Sequence, residues 1–200
     1  MANREFRVDW AKKHYAVWRK HLKPWAIDRS AVVDDMAYLE IGVFEGRSAC
    51  FMLDNVLPDN AMAWLVDDWQ HYRQLGSSRW NRLVDNGDSS SIQARAARNL
   101  AEYADRVRWM DGSSGEVLKS LVGMGSEFDL IYVDGGHSAS QCWVDTSLSW
   151  HLLKAGGLMI WDDMQFRAVS RTVAGFRSAM RRMVKDVYRT EYQLCVRKVG

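Results

Sequence analysis

An acid, two glycines and a serine lie close together in the stretch from Leu39 to Ser48, LEIGVFEGRS. A phosphate-binding P-loop needs four residues between its glycines and then a lysine. Here three residues separate Gly42 from Gly46, and Arg47 takes the place of the lysine. A dinucleotide-binding turn needs a glycine where Phe44 stands. The spacing therefore favours neither phosphate-binding turn.

The same turn suits a ligand that carries an amino-acid group. The carboxylate of Glu40 would repel a phosphate but attract an ammonium, and Gly42 lets the backbone pass close to the ligand. Ser48 and the first amides of the next helix suit a carboxylate, while Gly46, which we also count among the cofactor-binding residues, lets that helix pack on the strand. Asp67 ends a second strand about 25 residues later, where a carboxylate can accept from both ribose hydroxyls. A ligand that combines an amino-acid group with a ribose and has no phosphate is S-adenosylmethionine. The alternative interpretation is that the two glycines only allow a tight turn.

Three aspartates follow two further strand candidates. Asp134 ends the strand of FDLIYVDGG, and Asp162 and Asp163 end GLMIWDD. If these strands are neighbours, the carboxylates converge, and their mutual repulsion is costly without a cation. Oxygen ligands suit a hard ion, with Mg²⁺ first and Mn²⁺ or Ca²⁺ as alternatives. The other interpretation is that the aspartate pair is a solvated strand end or a helix cap.

His137 follows Asp134 by three residues and lies on the same predicted turn. An imidazole with a pKa near 6.5 can accept a hydroxyl proton at neutral pH. A lone histidine can equally be structural. We keep both interpretations of His137 at this point.

Buried strands alternate with helices along the chain. Strands are predicted at 36–42, 61–69, 106–112, 128–136 and 157–163, and helices at about 7–22, 46–56, 91–104, 115–123, 138–154 and 168–182. Two alternating runs, VKDVYRT and YQLCVRK, predict a closing antiparallel hairpin. The pattern indicates a doubly wound, mostly parallel, Rossmann-like seven-stranded α/β sheet with ligands at the carboxyl ends of its strands. We expect one domain over 1–200, with an added N-terminal helical segment at 1–30 and a lid or insertion at 70–91.

The composition is that of an ordinary soluble domain, with 200 residues, 26% charged residues and a net charge of +2. The N-terminus has scattered charges and no apolar core of a secretory signal. No apolar run approaches the roughly 18 residues of a membrane span. Three well-separated cysteines suggest neither a disulfide framework nor a zinc site. We expect a cytoplasmic protein without membrane contact, and we leave open whether it forms a homo-oligomer.

The chain resembles class I S-adenosylmethionine-dependent methyltransferases, and among them the metal-dependent small-molecule O-methyltransferases of the catechol and sugar-hydroxyl types. The motifs LEIGVFEGRS, VDDW, DGSS, YVDGGH and GGLMIWDD carry the resemblance, which covers nearly the whole chain. It implies contacts to the methionine end from Glu40, Gly42, Phe44 and Ser48, to the ribose from Asp67, and to the adenine from Asp68, Trp69, Gly112, Ser113 and Ser114.

The resemblance also implies the roles of the residues at the other strand ends. Asp134, Asp162 and Asp163 would hold the cation, which lowers the pKa of the acceptor hydroxyl. His137, or failing that Asp134, would take the proton. The methyl acceptor would be a small molecule with a phenolic, catechol-like or sugar hydroxyl.

Two features bear on the partner. Ten tryptophans, Trp10 among them, suit the flat faces of aryl or sugar acceptors. A C-terminal basic cluster leaves a nucleic-acid methyltransferase as a minor alternative, although no RNA-stacking motif accompanies it. That cluster consists of Arg177, Arg181, Arg182, Lys185 and Arg189. A catalytically silent domain that binds S-adenosylmethionine is the remaining alternative.

Overall fold

The computed structural model describes residues 4–69 and 90–200, which form a seven-stranded sheet with helices on both faces. The strands are β1 (Ala37–Ile41), β2 (Met62–Asp67), β3 (Val107–Asp111), β4 (Phe128–Val133), β5 (Leu153–Trp161), β6 (Val184–Arg189) and β7 (Leu194–Lys198). Their order is β3-β2-β1-β4-β5-β7-β6. Strands β1 to β5 run parallel, and β7 runs antiparallel to both of its neighbours. The predicted doubly wound sheet and its closing hairpin are confirmed.

One helix precedes the first strand, and the others connect successive strands. They are α1 (Tyr15–Ser30), α2 (Arg47–Asn55), α3 (Ser90–Asn99), α4 (Ser114–Gly123), α5 (Ala139–Leu152) and α6 (Arg167–Ala179), with 3₁₀ turns at Ala11–His14 and Ala101–Tyr103. The predicted lid at 70–91 falls outside the described residues except for its last two, which begin α3. Among the described residues, no helix combines the length and apolar character that crossing a membrane requires.

The first helix corrects one prediction. The apolar spacing predicted a helix over about 7–22 that ends before Pro24, but α1 begins at Tyr15 and continues through Pro24 to Ser30. A proline inside a helix costs about 3 kcal/mol. The helix tolerates it because Trp18, Leu22 and Trp25 are buried on both sides of the proline, and burying one such side chain stabilises by about 1.5–3 kcal/mol.

A second correction concerns the glycine pair before β5. A helix was predicted over 138–154 and a strand over 157–163, but α5 already ends at Leu152 and β5 begins at Leu153, so both glycines, Gly156 and Gly157, lie inside β5. Gly156 has a positive φ of 78°. The pairing of β4 with β5 shifts register between Phe128 and Leu130. The glycines therefore mark an irregularity within the strand.

The alternation of side chains along the strands divides the core into two layers. On β4, Leu130 and Tyr132 join the cluster that contains Trp18 and Leu22 of α1. Ile131 joins the cluster formed with α4, α5 and α6 on the opposite face. Because β1, β2, β4 and β5 run parallel, their carboxyl ends lie along one edge of the sheet. The side chains predicted to do chemistry are found at this edge.

Candidate active site

The turn after β1 is pressed against the end of β4. Gly42 has a φ of 86°, and a Cβ atom at this position would lie 1.9 Å from the backbone oxygen of Asp134. The Gly42 amide donates to the Val66 carbonyl at 2.9 Å, and the Asp134 amide donates to the Ile41 carbonyl at 2.8 Å. Only glycine fits this position, because a side chain would separate the strand ends. The ends of β1, β2 and β4 therefore meet at Gly42.

Asp67 orders this turn through its carboxylate. One oxygen, Oδ2, accepts from the amides of Val43 at 2.8 Å and Phe44 at 3.0 Å. The other, Oδ1, accepts from the amide of Trp69 at 2.9 Å. Charge-assisted bonds of this kind are about twice as strong as neutral ones. Asp67 thus joins two loops, and its contact to a ribose remains a prediction.

Glu40 lies beneath the turn with its side chain fully buried. The Tyr38 hydroxyl donates to Oε2 at 2.6 Å, and the Ser48 hydroxyl donates to Oε1. Burial raises the pKa of Glu40 to about 7, although the two hydroxyl hydrogen bonds oppose the shift. Glu40 and Ser48 therefore contact each other, and their roles toward a ligand remain predictions.

Gly46 also has a positive φ, 75°, but its close neighbour differs from the expected one. A Cβ atom there would lie 2.9 Å from Leu100 Cδ1, just after α3. The absence of a side chain thus lets the start of α2 pack on Leu100, whereas the sequence suggested packing on the strand.

A cavity of about 280 Å³ opens at this edge of the sheet. Most of the predicted site residues line it, namely Gly42, Phe44, Asp67, Asp68, Gly112, Ser114, Asp134, His137 and Asp163. Five predicted cofactor residues and one predicted metal ligand lie outside this lining: Glu40, Gly46, Ser48, Trp69, Ser113 and Asp162. The lining also includes Trp10 and Gln141.

Several residues in and next to the cavity lining have specific local partners or positions. The Trp69 indole donates to Asp111 Oδ1 at 3.1 Å, and this tryptophan is buried. Ser113 is the residue before α4 and has an extended backbone. The side-chain amide of Gln141 donates from Nε2 to Ser114 Oγ at 3.4 Å. Gln141 had no sequence signal of its own beyond its place in the first turn of the helix after YVDGGH.

A cluster of possible cation ligands stands on the cavity wall. Asp134, His137 and Asp163 each direct one ligand atom to a common region, with these atoms within 4.8 Å of one another. His137 Nε2 lies 2.6 Å from Asp163 Oδ2, and 46% of the histidine side chain is exposed. Asp163 adopts a positive φ of 58°, which aspartate tolerates better than most residues. Two of the three predicted metal ligands therefore converge, together with the predicted base.

Asp162 lies beside this cluster but has other partners. Its Oδ2 accepts from the Tyr132 hydroxyl and lies 3.4 Å from His14 Nε2. Its Oδ1 accepts from the Asp163 amide at 2.8 Å. Its role as a metal ligand remains a prediction, and its contact with His14 had no signal in the sequence.

The carboxylates differ in electrostatics. Burial, followed by the charges of Asp162 and Asp163, raises the pKa of Asp134 well above its usual range. Burial alone would also raise the pKa of Asp162, but the contacts from His14 and Tyr132 lower it below the ordinary value. Repulsion within the cluster is what a bound cation would relieve. Asp134 and Asp163, with Asp162 beside them, thus offer the oxygen ligands that suit a divalent ion such as Mg²⁺ or Mn²⁺.

Two curated relatives have sequences similar to this one. The O-methyltransferase hkm8 of Aspergillus hancockii is 27% identical over 125 residues, which are 62% of this chain and 41% of that protein. The uncharacterized protein R132 of Acanthamoeba polyphaga mimivirus is 25% identical over 159 residues, 80% of this chain and 64% of that protein. The chain thus spans less than two thirds of the length of both relatives.

Solved structures share the fold, and a family model matches the sequence. The O-methyltransferase NovP aligns with a TM-score of 0.65 at 16% identity, covering 94% of this chain and 80% of NovP. MycE, a methyltransferase from the mycinamycin biosynthetic pathway solved with Mg and SAH, aligns with a TM-score of 0.60 at 16% identity, covering 98% of this chain and 51% of MycE. The family model described as a methyltransferase domain matches residues 39–164, more than half of the sequence. The chain therefore belongs to the methyltransferase domain family.

Proposed function

We propose that this chain transfers the methyl group of S-adenosylmethionine to a hydroxyl oxygen of a small molecule, with the help of a divalent cation. The observation that carries the proposal is that one cavity joins the glycine turn to the carboxylate cluster. Gly42 and Asp67 line one part of the cavity, and Asp134, His137 and Asp163 line another. A methyl donor and a hydroxyl acceptor must meet in one such space.

The glycine turn is the expected site of the methyl donor. Gly42 and Phe44 would face its methionine part, and Asp67 and Asp68 would face the ribose and adenine. The identity of the donor is supported by the structural neighbour MycE, which was solved with Mg and SAH. When bound, S-adenosylmethionine supplies an electrophilic methyl group and needs no covalent nucleophile from the protein.

The carboxylate cluster is the expected site of the cation and of proton removal. Asp134 and Asp163, with Asp162 beside them, would hold the ion, which when bound supplies a positive charge that acidifies a hydroxyl. His137 would take the hydroxyl proton. The ring is half-exposed and lines the cavity, and its contact with Asp163 Oδ2 would orient it for that role.

Two residues of the cavity lining, Phe44 and His137, stack on other aromatic rings. Trp10 stacks on Phe44 with ring centroids 5.2 Å apart, and His137 stacks on Phe166 at 4.5 Å. Flat apolar surfaces of this kind favour an aryl or sugar acceptor over a small aliphatic alcohol. Expected acceptors are therefore catechols, phenols and sugar diols.

Calorimetric titration tests the proposal. S-adenosylmethionine and SAH should bind the wild-type protein, and Asp67→Ala should abolish that binding. Mn²⁺ should give a separate heat that Asp163→Asn removes. Asp59→Asn, on an exposed turn, is the matched control and should bind both ligands normally.

Acceptor screening with catechols and vicinal diols follows, with methylated product detected by mass spectrometry and with EDTA as the metal-free arm. Binding of SAH without any product across the screen would favour the catalytically silent alternative. The absence of SAH binding at high micromolar concentration would contradict the proposal.

A further inference from the structure

His14 is a buried histidine that contacts the site from the N-terminal segment. It ends the 3₁₀ turn Ala11–His14, and only 2% of its side chain is exposed. Its Nε2 lies 3.4 Å from Asp162 Oδ2. Among the described residues, this nitrogen has no partner with hydrogen-bond geometry. Buried polar atoms without a hydrogen bond are rare in native proteins, so the placement of this imidazole requires an explanation.

Asp162 is held from three separate parts of the chain. The Tyr132 hydroxyl at the end of β4 donates to Oδ2, the Asp163 amide donates to Oδ1, and His14 approaches Oδ2 from the N-terminal turn. The Tyr132 hydroxyl also lies 3.4 Å from Asp134 Oδ2 and accepts from Gln193 Nε2 at 3.3 Å. One buried network thus connects His14 and Asp162 to the carboxylate cluster.

The segment that carries His14 is itself fixed to the glycine turn. The Arg7 amide donates to Glu45 Oε2 at 2.8 Å, and the Trp10 ring stacks on Phe44.

The His14 ring packs 5.5 Å from the Trp18 ring and 6.2 Å from the Tyr192 ring. These contacts restrict the position of the imidazole, so it can restrict the carboxylate next to it.

We propose that His14 is a positioning residue, which fixes the Asp162 carboxylate at the edge of the Asp134–His137–Asp163 cluster and thereby strengthens cation binding. The inference rests on the proposed function, since that function expects a cation there. Without the imidazole, Asp162 would keep only its Tyr132 and Asp163 contacts. Loss of residues that orient metal ligands typically weakens metal affinity 10- to 100-fold.

Three variants test this role. His14→Leu removes the nitrogen, whereas His14→Gln keeps an amide N–H at a similar reach. His21→Leu is the control, because His21 lies on the same N-terminal helical segment but packs on the Tyr188 ring at 5.4 Å. Mn²⁺ affinity is measured by calorimetry and by electron paramagnetic resonance of the free ion. SAH affinity reports whether each variant keeps the folded cofactor site.

The expected result is that His14→Leu weakens Mn²⁺ binding about tenfold or more, in line with other residues that orient metal ligands. His14→Gln should recover most of that loss, and SAH affinity should be unchanged in all three variants. Wild-type Mn²⁺ affinity in a folded His14→Leu protein would overturn the proposal. A loss that His14→Gln does not recover would also overturn it, since any disturbance of packing would then explain the effect.

A double-mutant cycle keeps this inference distinct from the proposed function. Urea unfolding gives the free energy of unfolding of three variants: His14→Leu, Asp162→Asn and the double variant. If His14 positions Asp162, the double variant should lose less stability than the two single losses added together. Additive losses would overturn the positioning role. If the wild type binds SAH but no Mn²⁺, the metal part of the proposed function fails, and the cycle still decides whether His14 acts on Asp162.

Discussion

Replacing Gly42 with alanine should damage both stability and cofactor binding. Alanine at a φ of 86° costs about 1–2 kcal/mol from backbone conformation alone. The added Cβ atom would stand 1.9 Å from the Asp134 carbonyl oxygen, whereas ordinary contact begins at about 3.4 Å. The end of β4 would have to move by about 1.5 Å, against the Ile41–Asp134 hydrogen bond. We expect a total destabilisation of about 3 kcal/mol or more.

Two measurements on the same protein check this expectation. Urea unfolding gives the stability difference, and calorimetry below the unfolding transition gives the SAH dissociation constant. The shift in the β4 end should weaken SAH at least tenfold, which corresponds to about 1.4 kcal/mol. Gly123→Ala is the control, because Gly123 is a helical residue and a methyl group added there would have no atom within 4 Å. It should leave SAH affinity unchanged and stabilise by up to about 1 kcal/mol.

A Gly42→Ala protein with wild-type stability and wild-type SAH affinity would refute the reasoning. It would mean that the β1 and β4 ends can separate freely and that the close approach at Gly42 does not shape the site. Loss of stability with normal SAH affinity would retain the steric argument but remove Gly42 from the cofactor site.

Four further predictions concern single side chains. Glu40 has a pKa of about 7 in the free protein, and the ammonium group of SAH is expected to bind its ionised form. SAH should therefore bind roughly five- to tenfold more weakly at pH 6 than at pH 7.5, and Glu40→Gln should remove this pH dependence in calorimetry. Burial raises the pKa of Asp145 from 3.8 to about 6. The stability that protonated Asp145 contributes is therefore full below pH 3.8 and is lost as the pH rises through 6, a change in the free energy of unfolding of up to about 3 kcal/mol. Asp145→Asn should remove this pH dependence from urea unfolding. Asp129 is buried and forms ion pairs with Arg29 and Lys154. Asp129→Asn leaves both positive charges without their partner and should lower the free energy of unfolding in urea by about 3–5 kcal/mol, while SAH affinity stays normal. Trp10→Ala should raise the acceptor KM because it removes an aromatic face of the cavity, and Trp10→Phe should restore most of the lost acceptor affinity.

The fold was largely predictable because its signals are local. Apolar runs of strand length alternate with helical spacing, and this alternation is enough for a doubly wound parallel sheet. The boundaries of α1 were not predictable from the same signals. Apolar spacing from Val8 onwards imitates a helix, and Pro24 imitates a stop, but packing of Trp18, Leu22 and Trp25 decides where the helix lies.

The site was predictable where strand ends carry their own residues. Gly42, Asp67 and Asp134 end three strands that the topology brings to one edge, so convergence follows from the sequence and one rule of parallel sheets. The depth of Glu40 was not predictable in this way. Tyr38 and Glu40 share one side of β1, and the Tyr38 hydroxyl and Ser48 hold the carboxylate beneath the turn.

Adjacent aspartates at one strand end need not do the same chemistry. Asp162 directly follows β5 and contacts Tyr132 and His14, whereas Asp163 has a positive φ and contacts His137. The acids also differ in electrostatics, because contacts from His14 and Tyr132 lower the pKa of Asp162 against the effect of burial, whereas burial raises the pKa of Asp134. A motif of acids therefore predicts where negative charge gathers, but not which acid is ionised. Partners distant in sequence decide that: His14 joins Asp162 from the opposite end of the chain, and no local pattern announces the contact.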